Sequence, residues 1–183
     1  LTHMFAEEAV PYLRNKLGYK IESRFIRTIE IGESDLEMQL RDMIDRQTNV
    51  TIATYCSLGE AQVRLTVKCP VGDDPAKYLD PGEAEIRERL GKYIYAIGET
   101  DMPHVVVGLL KRAGRSVALA ESCTGGKIAD WLVDVPGVSE VLVEGHVTYS
   151  NISKERTLGV RHDTLEKYTA VSEQVAREMA EGL

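Results

Sequence analysis

The fold class follows first from residues 116–132, SVALAESCTGGKIADWL. The apolar run SVALAE predicts a buried strand. The turn SCTGG comes directly after it, and a helix with Ile128, Trp131 and Leu132 among its apolar residues follows the turn. A strand, a glycine turn and a helix in succession are typical of an α/β layer. We therefore expect an α/β domain over residues 99–183.

The other elements of this C-terminal half lie on both sides of that stretch. Before it, Thr100 or Asp101 is expected to cap the start of a helix. After it, residues 141–150 are expected to form a second strand with a bulge at Gly145, and Ser172 begins the last helix. Only two strands are predicted in this half, whereas an average sheet has about five or six. We therefore expect the domain to be incomplete.

A period-two pattern marks residues 19–31, YKIESRFIRTIEI. Apolar residues alternate there with charged ones, and Ile21, Phe25 and Ile29 fall on one side. This alternation predicts a half-buried strand. Residues 1–18 precede the strand with a helical pattern.

The N-terminal half continues with alternating strand and helix patterns. A helix is expected after the first strand. A β-hairpin with strands at residues 50–56 and 61–68 follows it. A charged helix at residues 83–90 and a short strand at residues 93–96 complete this half. The order is β-α-β-β-α-β. It predicts a small α+β domain over residues 19–98, and the whole chain is expected to have a mixed α/β fold.

The composition limits the class of protein. Of 183 residues, 29 are acidic and 22 basic, which gives a net charge of −7, and 43% are apolar. That apolar share can fill hydrophobic cores, and the negative charge disfavours a protein that coats nucleic acid through its phosphates. No stretch has the roughly 20 apolar residues of a membrane span, so we expect a cytoplasmic protein. Three cysteines without a CxxC pair give no zinc pattern, and no metal is expected.

The SCTGG turn is a candidate anion site, formed by Ser122, Thr124, Gly125 and Gly126. Backbone N–H groups at the start of a helix favour an anion, and glycine lets a phosphate approach the backbone closely. The two hydroxyls would add donors. The motif is neither a Walker A loop nor GxGxxG, so a tight turn with a hydroxyl cap is the alternative.

A second candidate site combines Ser139, Tyr149, Asn151 and Lys154. A lysine amine can act as the base that activates a serine hydroxyl, and a tyrosine can relay a proton or donate to an oxyanion. The alternative is structural. In that case Ser139 ends a turn, Tyr149 packs at a strand end, Ser150 and Asn151 cap a helix, and Lys154 is solvated.

Four motifs in the C-terminal half resemble the C-terminal domain of the CinA family of competence/damage-inducible proteins. They are, in order, AESCTGGKIADWL, DVPGVSEV, VTYSNISKERTLGV and AVSEQVAREMAEG. Residues 19–98 resemble the KH-type middle domain of that family. Residues 1–18 resemble the end of its molybdopterin-binding-like N-terminal domain or a linker helix.

The resemblance implies an activity and assigns residues to it. The activity is deamidation of nicotinamide mononucleotide, in which the amide is hydrolysed to give nicotinate mononucleotide and ammonia without a metal or cofactor. The implied catalytic group is Ser139 as nucleophile, Lys154 as base, and Tyr149. The implied substrate-binding residues are Ser122, Thr124, Gly125, Gly126 and Asn151.

The resemblance also leaves rival expectations. Family members continue past the last helix with a strand and a glycine-rich loop, so we expect this chain to be a fragment of the enzyme. The resemblance also implies that the enzyme is a homodimer. A KH-type domain raises nucleic-acid binding, but no GXXG loop occurs between residues 20 and 95, and we expect no nucleic-acid partner. A non-catalytic nucleotide-binding or regulatory module is the alternative function.

Overall fold

The computed structural model describes residues 2–57 and 59–183. The described residues divide into two compact units, with the boundary between Thr100 and Asp101. The mixed α/β fold class is confirmed. Within the described ranges, no helix is both long enough and apolar enough to cross a membrane.

The N-terminal unit is a four-stranded antiparallel sheet preceded by a helical segment. That segment comprises α1 (Thr2–Met4), a π-helical turn (Phe5–Ala9) and α2 (Val10–Lys16). The sheet and its helices are β1 (Tyr19–Thr28), α3 (Glu33–Asp45), β2 (Val50–Ser57), β3 (Glu60–Pro70), α4 (Ala76–Leu90), a 3₁₀ turn (Gly91–Tyr93) and β4 (Ile94–Ile97). The strand order β2-β3-β1-β4 is that of a double split β-α-β unit, the ferredoxin-like arrangement.

The central strand β3 shows which face of this sheet is buried. Its odd-numbered residues from 61 to 69 are buried, whereas the residues between them are not. They share one hydrophobic core with residues of α3 and α4, which include Leu36, Leu40, Ile86 and Leu90. Both helices therefore cover the same face of the sheet.

Strand β1 buries the face opposite to the one that its apolar pattern predicts. Its register pairs Ile26 with Val63 of β3, so the even-numbered residues of β1 lie on the core side. Ile26 is fully buried, whereas Ile21, on the predicted apolar side, is 61% exposed. The predicted half-buried strand is present, but the alternation alone does not identify its buried face.

An ion-pair cluster explains how the charged side of β1 can face the helices. Arg24 Nη1 lies 2.8 Å from Asp80 Oδ1 and 2.5 Å from Glu83 Oε2, both on α4. Removing a charge from water is costly unless the charge is paired, and these carboxylates pair it. The pattern of β1 alone cannot show this, because the partners of Arg24 lie 56 and 59 residues away in the sequence.

The two isoleucines of β1 give a direct test of this face assignment. Ile26→Ala should lower the free energy of unfolding by about 2–5 kcal/mol, because it leaves a cavity in the core. Ile21→Ala, the same substitution on the exposed face, should change it by about 0.5 kcal/mol or less. Urea denaturation followed by circular dichroism measures both. Equal losses in the two variants would contradict the assignment.

The C-terminal unit contains a two-stranded parallel sheet and five helices among the described residues. Its elements are α5 (Met102–Ala113), β5 (Val117–Glu121), α6 (Lys127–Val133), a 3₁₀ turn (Val138–Glu140), β6 (Leu142–Val147), α7 (Asn151–Leu158), α8 (His162–Tyr168) and α9 (Glu173–Glu181). Both predicted helix caps are found: the Asp101 carboxylate accepts from His104 N–H, and the Ser172 hydroxyl accepts from Val175 N–H.

The bulge predicted at Gly145 lies instead at Val143. Val117 pairs with Leu142 and Ala118 with Glu144, so Val143 is the extra residue of β6. A Cβ atom at Gly145 would lie 3.8 Å from the Cβ of Leu119 and 3.9 Å from that of Ala129, which are ordinary contact distances. Neither a bulge nor close packing therefore requires a glycine at this position.

Strand β5 lies between the two hydrophobic clusters of this unit. Val117 and Leu119 pack against one cluster, which is built from α5, α6 and the start of β6. Ala120, on the other face, packs against a cluster formed by α7, α8 and α9. Because both faces are covered, the small parallel sheet is the middle of an α/β layer.

Candidate functional site

Polar residues meet where the two parallel strands end. Glu121 is the last residue of β5, and Ser122 follows it. Thr148 and Tyr149 come directly after β6, whose neighbour in the sheet is β5. The carboxyl ends of parallel strands lie at one edge of a sheet, and in open α/β sheets ligands bind outside that edge.

Lys154 projects from α7 into this edge. Its side chain is only 1% exposed, and Nζ donates to Ser122 Oγ at 3.0 Å, to the Thr148 carbonyl at 2.7 Å and to the Tyr149 carbonyl at 3.1 Å. A lysine ammonium has three N–H donors, and each of them has a partner here. The alternative of a solvated Lys154 is wrong.

Helix α7 brings Lys154 to this place because the turn after β6 also starts the helix. The Ser150 hydroxyl accepts from Ser153 N–H and caps α7, and Lys154 N–H donates to the Ser150 carbonyl. Lys154 therefore lies one turn into the helix. Asn151 begins α7 and is exposed, so Ser150 is the capping residue.

The carboxylate of Glu121 occupies the N-terminus of α6. It is 4% exposed and accepts from the N–H groups of Gly126 at 3.0 Å, Ile128 at 3.2 Å and Ala129 at 2.9 Å. Burial acts to raise the pKa of this carboxyl group, but hydrogen bonds from the Thr124 hydroxyl and the three amides hold that pKa below its usual value. Glu121 is therefore an internal anion at the position where the sequence suggests a bound phosphate.

The turn from Ser122 to Gly126 is tightly closed. The Gly125 N–H donates to the Ser122 carbonyl at 3.0 Å, and the Gly126 N–H is bonded to Glu121. Both glycines have positive φ angles, +64° and +94°, a region that side-chain-bearing residues rarely adopt. Both amides therefore already have acceptors within the protein. The assignment of Ser122, Thr124, Gly125 and Gly126 to substrate binding stays a prediction.

Ser139 lies at the other edge of the sheet. It is exposed in the 3₁₀ turn that precedes β6, whereas Lys154 lies beyond the carboxyl end of that strand. The six residues of β6 are separated by five steps of about 3.3 Å, so the two ends of the strand are about 17 Å apart. Within one chain, the structure brings Lys154 to Ser122 and not to Ser139.

Tyr149 shares the edge with Lys154 through its main chain. Its carbonyl accepts from Lys154 Nζ, while its side chain is 73% exposed. The contact between Lys154 and Ser122 was not predicted from the sequence, in which the two residues are 32 positions apart. A signal for this contact exists in the sequence, because Ser122 directly follows one predicted strand whereas Ser139 precedes the other, and in an α/β layer ligands bind where strands end.

Two family models cover most of the chain. The model described as the CinA C-terminal domain matches residues 99–183, and the model of the damage-inducible protein CinA KH domain matches residues 23–96. The chain belongs to the CinA family. Both candidate sites lie in the part that matches the CinA C-terminal domain.

Curated relatives of this CinA-family chain have the same family description. A putative competence-damage inducible protein of Clostridium beijerinckii is 45% identical over 180 residues, and one of Clostridium botulinum strain Okra is 44% identical. Each alignment covers 98% of this chain and 44% of the relative. The chain therefore spans less than half the length of these relatives.

Solved structures of the family are also similar in sequence. The competence/damage-inducible protein CihA of Agrobacterium tumefaciens is 42% identical, covers 44% of this chain and 48% of its own chain, and has a TM-score of 0.43. The competence damage-inducible protein A of Klebsiella pneumoniae is 34% identical, covers 45% of this chain and 54% of its own, and has a TM-score of 0.42.

Proposed function

We propose that this CinA-family chain carries an amide-hydrolysing site, and that its substrate is nicotinamide mononucleotide. The observation that carries the proposal is the pair formed by Ser122 Oγ and the buried Lys154 Nζ, 3.0 Å apart. A serine hydroxyl in hydrogen-bond contact with a base is the arrangement used for nucleophilic acyl transfer. We therefore propose Ser122, in place of Ser139, as the nucleophile.

The other two partners of Lys154 orient it as a base. The carbonyl groups of Thr148 and Tyr149 can only accept hydrogen bonds. When Lys154 is neutral it has two N–H groups and one lone pair, and the two carbonyls retain the two N–H groups. The lone pair must then point to Ser122, whose hydroxyl can donate to it.

The reaction that this pair supports has two steps. Ser122 Oγ attacks the amide carbon of nicotinamide mononucleotide while its proton moves to Lys154, and the resulting tetrahedral intermediate expels ammonia, which takes that proton. Water then attacks the Ser122 ester, again giving its proton to Lys154. Nicotinate mononucleotide leaves, and the proton returns to Ser122 Oγ.

The negative charge of the tetrahedral oxygen requires N–H donors near the nucleophile. Within residues 59–183, Cys123 N–H and Thr124 N–H, which directly follow Ser122, form no hydrogen bond, in contrast to those of Gly125 and Gly126. We propose these two amides as the oxyanion donors.

Ammonia release tests the proposed function. Nicotinamide mononucleotide is given to this chain and, in parallel, to the full-length Clostridium beijerinckii relative; nicotinate mononucleotide, which has no amide, is the control substrate. We expect ammonia and nicotinate mononucleotide in equal amounts. If both folded proteins bind the substrate but release no ammonia, the non-catalytic nucleotide-binding module is the correct alternative.

A further inference from the structure

A buried acidic residue connects the two side chains of the proposed pair. Glu121 immediately precedes Ser122, and its carboxylate is bonded to amides at Gly126, Ile128 and Ala129. The turn that carries Ser122 begins after Glu121, and the end of the turn at Gly126 is bonded to the side chain of the same Glu121. The carboxylate therefore constrains the turn that carries Ser122.

The main chain of the same residue holds the base. The Glu121 carbonyl accepts from Thr148 N–H at 2.8 Å, and the Thr148 carbonyl accepts from Lys154 Nζ at 2.7 Å. One residue therefore controls the turn of Ser122 through its side chain and the support of Lys154 through its backbone. A substitution at Glu121 changes the first connection and leaves the second intact.

We propose that Glu121 is a positioning residue that fixes the Ser122 hydroxyl against Lys154. The proposal rests on the proposed function only in taking Ser122 and Lys154 as the reacting pair. The Glu121 carboxylate is bonded to the turn and to α6 and forms no hydrogen bond with Ser122 Oγ or Lys154 Nζ, so we assign it a positioning role.

A second carboxylate in the same unit provides a matched control. Glu178 accepts from Arg161 N–H at 2.9 Å and from the Thr164 hydroxyl at 2.8 Å. Like Glu121, it bonds a backbone amide and a threonine hydroxyl, but it holds the start of α8. Loss of Glu178 should therefore lower stability without displacing Ser122.

The test compares Glu121→Gln with Glu178→Gln. The amide nitrogen of glutamine cannot accept from the α6 amides, so the turn should shift. Because a displacement of about 1 Å can reduce turnover about 10²-fold, we expect Glu121→Gln to lower kcat about 10²-fold with KM within about threefold. Glu178→Gln should keep kcat within about twofold. Labelling of Ser122 by a fluorophosphonate, followed by mass spectrometry, should slow in parallel with kcat.

Other outcomes separate this proposal from the proposed function. If wild-type protein releases no ammonia but its Ser122 labels faster than in Glu121→Gln, the substrate is wrong and the positioning proposal stands. Equal kcat and equal labelling in the two variants would overturn it. If Ser122 does not label even in the wild type, crystal structures decide: an unchanged distance between Ser122 Oγ and Lys154 Nζ in Glu121→Gln overturns the proposal.

A shorter carboxylate serves if the glutamine variant does not fold. Glu121→Asp keeps the charge but withdraws it by one methylene group, so it should retain the fold and lose less activity than Glu121→Gln. Wild-type turnover and labelling in Glu121→Asp, with the turn in its original place, would be evidence for the proposal. The opposite outcome is that the α6 amides lose their acceptor in Glu121→Asp but the distance between Ser122 Oγ and Lys154 Nζ does not change. That result would overturn the proposal.

Discussion

Ser122→Ala is expected to reduce ammonia release from nicotinamide mononucleotide by about 10³-fold or more, because it removes the hydroxyl proposed to form the covalent ester. Ser139→Ala should stay within about twofold of wild type, because Ser139 is exposed at the opposite edge of the sheet. Both substitutions remove one hydroxyl and are matched in size. The kcat of each variant is measured with the unfolding midpoint as a check on folding.

The opposite result would restore the assignment that the family resemblance implies. If Ser139→Ala loses turnover while Ser122→Ala keeps it, the nucleophile is Ser139. The Ser122–Lys154 contact would then be structural. A second copy of the chain would have to bring the distant Ser139 to Lys154.

Lys154→Met is expected to have the second large effect. Methionine fills a similar volume but can neither take the Ser122 proton nor donate to the Thr148 and Tyr149 carbonyls. We expect kcat to fall about 10³-fold, within the range of general base catalysis, and stability to fall by about 1–3 kcal/mol for each buried carbonyl left without a donor.

A surface lysine is the control for this substitution. Lys167 is exposed on α8, so Lys167→Met should leave both turnover and the unfolding midpoint near their wild-type values. Turnover near wild type in Lys154→Met would exclude Lys154 as the base. A loss of stability without a loss of turnover would assign it a structural role.

Sequence patterns predicted the order of elements better than the contacts between them. The hairpin of β2 and β3 and the strand, turn and helix around SCTGG follow from local periodicity and glycine placement, which neighbouring residues determine. The buried face of β1 does not, because the partners of Arg24 belong to a distant helix. Similarly, the bulge at Val143 depends on the pairing of β6 with β5.

For the candidate site, too, the sequence identifies individual residues but not the contacts between them. Lys154 and the SCTGG turn stand out in the sequence because of their residue types. Their contact does not, since it requires that β5 and β6 be parallel neighbours and that α7 turn back over their ends. Ser139 is closer to Lys154 in sequence than Ser122 is, but a whole strand separates it from Lys154 in space.

The hydrogen bonds among Glu121, Thr148, Lys154 and Ser122 form a closed ring with the peptide bond between Glu121 and Ser122. Their geometry is established when the chain folds, so a substrate does not have to order these side chains on arrival. Little conformational entropy is then lost at the reacting atoms upon binding. A larger part of the binding free energy can therefore lower the activation barrier.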